Sequence, residues 1–572
     1  MFKRRPNRRV GIGYHRRRGR TKGMSMRGLW AELRRRNVVR MAVAYCALAW
    51  LLLQVAALLL PAFGIPGWVL RLLILLAALG FPFALLFAWG YAWTDAGVVR
   101  EAPDAIAPVE SPDAEPVAAS IAVLPLVNMS SDREQDYFSD GLSEELLNLL
   151  AQVRDLHVAG RTSSFSFKGK PTTIGEIGRA LNVANVLEGS VRKSGDRVRI
   201  TAQLIRVRDD SHLWSQTYDR ELTDIFAVQD EIAAAVVHAL KPKLLPVRQP
   251  SHAGHHVPSP EAYNHFLLGR QFLNRATLEG FNRAVGEYRK AVALEPGYAA
   301  ALAGLALAEA YASDNTDTVE ALQAGRARAA EAADRAVACD PRSGESHTAR
   351  AVLRFAFEQD WSGGEADFGK ALECSPGDVM ARWQYSRLLA ALGRLPEALA
   401  QARVATELDP LSAQAWEIAS RYQIALGDFE SAETSLRRAL DIAPEHGRAP
   451  VGMGLLHLLR GDAAQALAWY GRADNDAFRL CGQAMAAYLG GDAASARRML
   501  DELIAEGAHT SAYQVGEGFA WCGRPDEAFA WLQRAIAQRD AGVQYLKYDP
   551  ALRNLRGDPR YARLLQQVGL PA

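Results

Sequence analysis

The stretch AQAWEIASRYQIALGDFESAETSLRRALDIAP, residues 413–444, predicts two helices joined by a tight turn. Apolar and small residues recur every three or four positions in each half, which is the spacing of one helical face. Gly427 and Asp428 interrupt this spacing, because glycine ends helices well and aspartate begins them. Small side chains at Ser420 and Ala432 allow the two helices to approach closely. We therefore expect a compact antiparallel helix pair.

The same pattern recurs along the carboxyl-terminal half at intervals of about 34 residues, the period of the tetratricopeptide repeat (TPR). Pro444, at the end of the first stretch, has counterparts in Pro410 and Pro376. Further copies are marked by Ala284, Tyr288, Ala291 and Pro296; Ala329, Ala336 and Pro341; Gly454, Ala466 and Tyr470; Ala496 and Leu500; and Ala528, Leu532 and Ala535. The sequence resembles TPR proteins and predicts an all-α solenoid over residues 261–545.

Length, charge and cysteines limit the possible organisation of the chain. A chain of 572 residues is too long for one hydrophobic core, so several domains are expected. Fifteen Lys or Arg and one acid precede residue 41, although the net charge of the whole chain is only +2. None of the five cysteines lies in a CxxC pair, which argues against a zinc site or a disulfide framework. We therefore predict no metal and no cofactor.

Residues 1–40 form a basic arm at the amino terminus. Such an arm contacts nucleic acid or anionic lipid, or acts as a topogenic signal. An upstream extension of the true protein, with initiation at Met24 or Met26, is a further interpretation. A topogenic signal or an extension is favoured, and nucleic acid is not an expected partner.

Two apolar runs follow the arm, one of twenty uncharged residues at 41–60 and another at 72–93. About 20 apolar residues suffice for a helix to cross a bilayer. We therefore expect a two-helix transmembrane hairpin at residues 41–93 that contacts the lipid bilayer. Arginines abut the first run and the connection carries little charge, so the positive-inside rule predicts a two-pass bacterial inner-membrane protein with a cytoplasmic amino terminus and cytoplasmic soluble domains.

Three further segments complete the predicted multidomain organisation. An acidic linker rich in Pro and Ala, residues 94–117, precedes a pattern typical of a small α/β domain at 118–241. The predicted order of elements is β-α-β-α-β-β-β-α, a mixed sheet with helices packed on one side. A linker with five prolines, residues 242–260, leads to the solenoid. Residues 546–572 lack the repeat pattern, and we expect them to cap the solenoid.

Two stretches of the α/β segment carry a family resemblance. SIAVLPLVNMSSDREQDYFSDGLSEELLNLLA at 120–151 and LNVANVLEGSVRKSGDRVRITAQLI at 181–205 resemble the TolB amino-terminal-like (FlgO-type) domain of bacterial regulatory proteins. The resemblance covers about residues 120–240. In that group the domain precedes TPR repeats and commonly follows an adenylate cyclase or a winged-helix module. The resemblance therefore implies a membrane-anchored regulatory protein.

The sequence offers no convincing catalytic motif, and we predict that the protein is not an enzyme. Residues 167–170 are similar to the end of a phosphate-binding loop, but Pro171 stands where Ser or Thr should hold magnesium. The polar stretch RTSSFSFKGK, residues 161–170, has two interpretations: a contact for a ligand or partner, or an ordered loop that packs Phe165 and Phe167 into the domain.

The inner face of the predicted solenoid is the candidate functional surface. In the TPR pattern the second, fifth and ninth residues of each unit line this face, where they share one side of the first helix. The candidate partner-binding residues are Met380, Trp383 and Arg387; Gln414, Glu417 and Arg421; Arg448, Val451 and Leu455; and Thr510, Tyr513 and Glu517. Arginines beside aromatic and apolar residues suit an extended or helical peptide, including an acidic one.

These features predict a non-catalytic, membrane-anchored TPR scaffold or adaptor that mediates protein–protein interaction in bacterial signalling or regulation. One alternative is a membrane sensor or regulator linked to cyclic-nucleotide or transcriptional signalling, which the domain neighbours of the resembling proteins imply. Another alternative is a periplasmic envelope-assembly factor.

Overall fold

The computed structural model describes most of the chain after residue 118 and a few residues before it. The described ranges are 119–130, 135–240, 258–314, 319–507 and 510–571, with short pieces between 53 and 100. The chain divides into two compact units, Met1–Pro112 and Asp113–Ala572. The basic arm lies outside the described residues, as does most of the two predicted linkers.

The first unit contains a β-hairpin where the second membrane helix was predicted to end. Strand β1 (Tyr91–Thr94) pairs antiparallel with β2 (Gly97–Arg100), which places Trp93 opposite Val98. Most of residues 41–90 lie outside the described part of the chain. Among the described residues, no helix has both the length and the apolar character needed to cross a bilayer. The described residues therefore do not support the predicted transmembrane hairpin or the two-pass inner-membrane location, and the strand at Tyr91–Thr94 replaces the predicted end of the second helix.

This correction has a simple physical reason. An apolar run predicts a membrane span only if its residues continue as one helix for about 20 positions. Aromatic and β-branched residues such as Tyr91, Trp93, Val98 and Val99 also favour strands, and here they form a paired ladder.

The α/β domain has the predicted order of elements, with three short additions. Its strands are β3 (Ser120–Val123), β4 (Val127–Asn128), β5 (His157–Val158), β6 (Asn185–Ser194), β7 (Arg197–Arg206) and β8 (Ser211–Glu221). Its helices are α1 (Asp136–Ala151), α2 (Arg161–Phe165), α3 (Ile174–Leu181), the 3-10 turn Leu222–Asp224 and α4 (Ile225–Leu240). The sequence did not predict β4, α2 or the 3-10 turn.

The sheet is mixed, as predicted. Its strand order is β5-β3-β6-β7-β8, with β4 paired to β6 beyond the end of β3. Strand β3 runs parallel to both β5 and β6, whereas β6, β7 and β8 form an antiparallel meander. The tight turn at Gly195, with φ of +59°, closes the β6–β7 hairpin.

Helices cover both faces of this sheet, which corrects the prediction that they pack on one side. Ile121 and Val123 of β3 belong to the cluster that contains α1 and α4. Ala122, between them, faces the opposite way and packs with Ile177 and Leu181 of α3. Alternate residues of a strand point to opposite faces, so β3 is fully buried only because each face has its own helix.

The solenoid consists of eight helix pairs within the described part of residues 258–571. They are α5 (Pro260–Leu273) with α6 (Leu278–Leu294), α7 (Ala299–Ser313) with α8 (Val319–Cys339), α9 (Gly344–Leu353) with α10 (Trp361–Cys374), α11 (Val379–Ala391) with α12 (Leu395–Leu408), α13 (Ala413–Leu426) with α14 (Phe429–Ile442), α15 (Ala449–Leu459) with α16 (Ala463–Tyr470), α17 (Asp476–Leu489) with α18 (Ala493–Gly507), and α19 (Ala512–Trp521) with α20 (Pro525–Gln538). A π-helical turn, Arg354–Glu358, follows α9. Two 3-10 turns, Ala541–Tyr545 and Pro550–Leu555, and α21 (Pro559–Gln567) follow α20.

The predicted solenoid is confirmed, and its cause is visible in the repeat positions. Ala398, Ala432 and Ala466, which occupy one position in successive repeats, are completely buried. Between the helices of the fifth pair, Gly427 ends α13 with φ of +82°, a conformation that other residues rarely adopt. The Asp428 carboxylate then accepts a hydrogen bond from the Ser431 N–H and begins α14.

The first repeat helix also completes the α/β domain, so one hydrophobic cluster continues from that domain into the repeats. Tyr263 of α5 is completely buried and packs against Phe138 of α1 and Phe226 of α4, with ring centroids 6.2 and 4.9 Å away. Its hydroxyl is 2.8 Å from Nε2 of Gln229, which donates to it. The solenoid is therefore anchored to the face of the sheet that carries α1 and α4.

Candidate partner-binding groove

The first helices of the fourth, fifth, sixth and eighth pairs turn side chains towards one short segment of the same chain. We call residues 540–549, with the sequence DAGVQYLKYD, the inner segment. It follows the last repeat helix and contains the 3-10 turn Ala541–Tyr545. Repeats that are far apart in the chain meet here because the array curves around the segment.

Three arginines surround the middle of the inner segment, and we call them the arginine cluster. Arg387 of α11 donates a hydrogen bond of 2.8 Å to the Gln544 side-chain carbonyl. Arg421 of α13 donates one of 2.9 Å to the Tyr545 hydroxyl. Arg448, just before α15, stacks on Phe478 with its guanidinium carbon 3.8 Å from the ring centroid.

Among the described side chains, only one of these three arginines forms an ion pair with a carboxylate. Arg421 forms a bidentate pair with Glu417, with N–O distances of 2.6 and 2.8 Å. Arg387, which also bonds to Gln544, donates a second hydrogen bond to the neutral side chain of Gln384. No ion pair of the described residues involves Arg448. The cluster therefore presents an excess of positive charge to the inner segment.

Aromatic packing and a carboxylate fix the middle and the carboxyl end of the inner segment. The ring centroid of Tyr548 lies 6.1 Å from that of Tyr422, and the centroid of Tyr545 lies 6.2 Å from that of Tyr513, both in edge-to-face geometry. The Tyr513 hydroxyl donates a hydrogen bond of 2.8 Å to the carboxylate of Asp549. These contacts hold the segment from Tyr545 to Asp549.

The electrostatic environment differs between the middle and the end of the segment. Burial alone would raise the pKa of Tyr545, but the positive charges of Arg421, Arg448 and Arg387 outweigh it and lower that pKa. At the end of the segment, burial and the nearby charge of Asp549 raise the pKa of Glu517 well above its ordinary value. A phenol thus faces the cations, while at the end of the segment the charge of Asp549 acts on the buried acid Glu517.

The structure brings six of the twelve predicted groove residues to the inner segment or to side chains that touch it. They are Arg387, Glu417, Arg421, Arg448, Tyr513 and Glu517. Glu417 and Tyr513 are only 2% and 1% exposed, so neither can reach a partner without a rearrangement. In this conformation the groove is filled.

The other six predicted residues lie elsewhere on the repeats. Met380, Trp383, Val451 and Leu455 are partly buried and pack against hydrophobic clusters. Gln414 and Thr510 are exposed. The hydrogen bonds and ion pairs of the described residues join none of these six to the inner segment. Their role in partner binding stays a prediction.

Sequence reasoning missed the residues that fill the groove, namely Gln544, Tyr545, Tyr548 and Asp549. One signal was available, because YLKYD places two tyrosines and an acid in a stretch without repeat spacing. An aromatic-rich stretch outside the repeats must bury its rings against something. The sequence did not indicate which surface would cover them.

The polar stretch at 161–170 contacts the solenoid, which decides between its two interpretations in favour of packing. The first five residues form α2, and Asp409, at the end of α12, accepts a hydrogen bond of 2.7 Å from the Ser163 N–H. Ser163 Oγ in turn accepts a bond of 2.8 Å from the Leu411 N–H. Phe167 packs in the cluster around α3.

Comparison with known proteins gives one relative that matches part of this chain. No known family model matches this chain, so the TolB amino-terminal-like resemblance is not confirmed. A curated protein of Rhizobium meliloti (strain 1021), named "Putative adenylate cyclase 3", is 40% identical over 217 residues, which are 38% of this chain and 37% of that protein. The chain thus matches little more than a third of the length of that relative.

Solved structures of repeat proteins are similar over part of the chain. Pseudomonas aeruginosa PilF is 19% identical and covers 37% of this chain and 92% of its own, with a TM-score of 0.30. A tetratricopeptide repeat protein from Parabacteroides merdae is 15% identical and covers 43% of this chain and 93% of its own, with a TM-score of 0.33. Scores this low carry no argument about function, and the TPR architecture rests on the helix pairs described above.

Proposed function

We propose that this protein is a non-catalytic TPR scaffold whose groove, lined by the arginine cluster, binds a segment of a partner protein. The observation that carries the proposal is the inner segment itself, since the groove already holds a stretch of polypeptide through side-chain hydrogen bonds to Arg387 and Arg421. A surface with this chemistry is suited to another peptide of similar shape.

Two further features support a binding role. The guanidinium groups of the cluster offer planar, directional donors to carboxylates and backbone carbonyls. Arginine and tyrosine are also the residues that most often dominate protein–protein binding energy. In this proposal the α/β domain, with its TolB amino-terminal-like character, is a rigid base for the repeats.

The test compares partner capture by three forms of the full-length chain. The first is the natural chain, the second carries Arg387→Ala and Arg448→Ala, and the third carries Arg472→Ala and Arg534→Ala. The control arginines also stack on aromatic rings, Trp469 and Trp531, but they lie on the exposed surface. We expect proteins captured from the native host by the natural and control chains to be depleted about tenfold or more with the groove variant. Identical capture by all three forms would remove the proposal.

A second candidate function is regulation in cyclic-nucleotide signalling, which the 40% identity to part of a protein named as an adenylate cyclase favours. In that case the partner held by the groove would be a component that makes or senses a cyclic nucleotide. The purified chain, incubated with ATP and magnesium, is expected to form no cyclic nucleotide. Turnover that survives further purification would contradict the non-catalytic role.

A further inference from the structure

The inner segment is a poor electrostatic match for the groove that holds it. At its centre the Tyr545 hydroxyl, a phenol where a carboxylate would be the better acceptor, accepts a hydrogen bond from Arg421 and lies in the field of Arg387 and Arg448. A carboxylate in that place would form charge-assisted hydrogen bonds, which are roughly twice as strong as neutral ones.

The mismatch is repeated at the end of the inner segment. Glu517 lies one turn after Tyr513 on α19, and the Tyr513 hydroxyl bonds to Asp549. Burial, and after it the charge of the Asp549 carboxylate, raises the pKa of Glu517 well above its ordinary value. Asp549 keeps its place because it accepts hydrogen bonds from the Tyr513 hydroxyl and the Ala551 N–H, both of 2.8 Å. An amide oxygen could accept the same two bonds without the repulsion.

The inner segment also differs from the repeats in how it is held. It belongs to no helix pair, and its 3-10 turn makes fewer regular backbone bonds than an α-helix. Its attachment comes from the polar and aromatic side chains of Gln544, Tyr545, Tyr548 and Asp549 and from the buried apolar side chains of Val543 and Leu546. A competing peptide could therefore replace these contacts one for one.

We propose that the groove recognises a partner segment that brings a carboxylate to the position of the Tyr545 hydroxyl, and that residues 540–549 occupy the groove until such a segment displaces them. This inference rests on the proposed function and specifies the chemistry of its ligand. The occupant is a short acidic peptide with flanking aromatic residues. Occupation by the chain itself lowers the apparent affinity of any partner by the fraction of molecules in which the groove is open.

Two synthetic peptides test the proposal on the full-length chain. The first has the sequence of residues 540–550, and the second is the same peptide with Tyr545→Glu and Asp549→Asn. Fluorescence anisotropy of each labelled peptide measures affinity. Hydrogen exchange of residues 540–549 in the protein measures displacement. We expect the changed peptide to bind about tenfold tighter than the unchanged one, because it adds a charge-assisted contact and removes a repulsion.

Variants of the protein locate the binding. Arg448→Ala is expected to weaken binding of the changed peptide about tenfold, while Arg472→Ala, which removes an exposed arginine stacked on Trp469, leaves it unchanged. Tyr545→Phe in the protein removes only the hydroxyl that Arg421 contacts. This variant keeps the ring packing, so it folds, and it should bind either peptide about fivefold tighter than the natural chain.

Three results would overturn the inference: equal affinity for the two peptides, continued exchange protection of residues 540–549 at saturating peptide, or failure of both peptides to bind the natural chain and the Tyr545→Phe chain. None of them depends on a cellular partner. If capture from the native host still requires Arg387 and Arg448 while the peptides fail, the proposed function stands and only this ligand chemistry falls. If the peptides bind but no host protein is captured through the groove, this ligand chemistry stands and the proposed function falls.

Discussion

The Asp409 carboxylate accepts a hydrogen bond of 2.7 Å from the backbone N–H of Ser163, a residue 246 positions earlier in the chain. Asp409 is only 4% exposed, and the Gly160 N–H donates to the neighbouring carbonyl of Leu408. The turn between α12 and α13 is thus bonded to the start of α2. This second attachment, together with the packing of Tyr263, fixes the α/β domain to the repeats at two separate places.

Replacing Asp409 with alanine should destabilise the protein. The change leaves the buried Ser163 N–H without its acceptor, which costs about 1–3 kcal/mol in the free energy of unfolding. Asp409→Asn keeps an acceptor and should cost less than half as much. Urea unfolding followed by tryptophan fluorescence measures both. Glu407→Ala, an exposed neighbour in α12, is the control, and an equal loss in that variant would contradict the assignment.

Glycines that face tyrosines decide how closely the repeat helices pack. A Cβ atom built on Gly482 of α17 would lie 2.0 Å from the Tyr470 ring, and one on Gly454 of α15 would lie 2.8 Å from the same ring. The tyrosine is therefore held between two glycines of successive repeats. Gly482→Ala must displace the ring, and we expect a loss of about 1–3 kcal/mol in the free energy of unfolding.

At a second glycine, substitution by alanine should stabilise the protein instead of destabilising it. Gly286 lies within α6, and a Cβ built there meets nothing within 4 Å. Alanine is the better helix former, so Gly286→Ala should raise the free energy of unfolding by about 0.5–1 kcal/mol. Chemical unfolding of the two variants side by side measures the difference, and a gain in stability for Gly482→Ala would contradict the packing described here.

Arg270 of α5 is buried at the junction of the two domains, with a side chain 5% exposed. It pairs with Glu145 of α1 and donates a bond of 2.8 Å to Glu345 of α9. Arg270→Met leaves these carboxylates without their common cation, and removal of one partner of a buried pair costs about 3–5 kcal/mol. Arg275→Met, an exposed arginine stacked on Phe272, should change the urea midpoint little. Similar urea midpoints for both variants would show that the buried ion pairs of Arg270 do not stabilise the junction.

The Asp367 carboxylate of α10 predicts a pH dependence of stability. Burial would raise its pKa, but hydrogen bonds from His347 and Arg350 and the charge of Arg354 outweigh burial and lower the pKa to about 2. A pKa below the unfolded value stabilises the folded state above about pH 4, and this contribution is lost as pH falls towards 2. A pKa shift of this size corresponds to roughly 2 kcal/mol in the free energy of unfolding.

His347 adds a second contribution to the pH dependence of stability. Its hydrogen bond to Asp367, with an Nδ1–Oδ1 distance of 3.2 Å, raises the pKa of the imidazole. A raised pKa stabilises the folded state below the ordinary value of 6.5, and this stability is lost as pH rises through the folded pKa. Unfolding measured from about pH 2 to 9 should show that Asp367→Asn loses both pH-dependent contributions and that His347→Gln loses only the one at higher pH. Parallel profiles for all three proteins would refute the linkage.

Local patterns were sufficient for most of the secondary structure. The spacing of Ala398, Ala432 and Ala466 and the glycines between paired helices predicted the solenoid, since a 34-residue period of small residues has few other structural solutions. Alternation along β6 and β7 predicted their hairpin. The same local reasoning failed at Trp93, which was predicted to end a helix and lies in a strand.

The sequence by itself determined the repeats and five of the six strands of the mixed sheet, because these depend on residues within one or two turns of each other. Only the tertiary structure decided that α3 covers the second face of the sheet, that Asp409 bonds to Ser163, and that Tyr545 lies among Arg387, Arg421 and Arg448. Those contacts depend on the accumulated curvature of eight stacked helix pairs. No local spacing encodes where residues more than a hundred positions apart will meet.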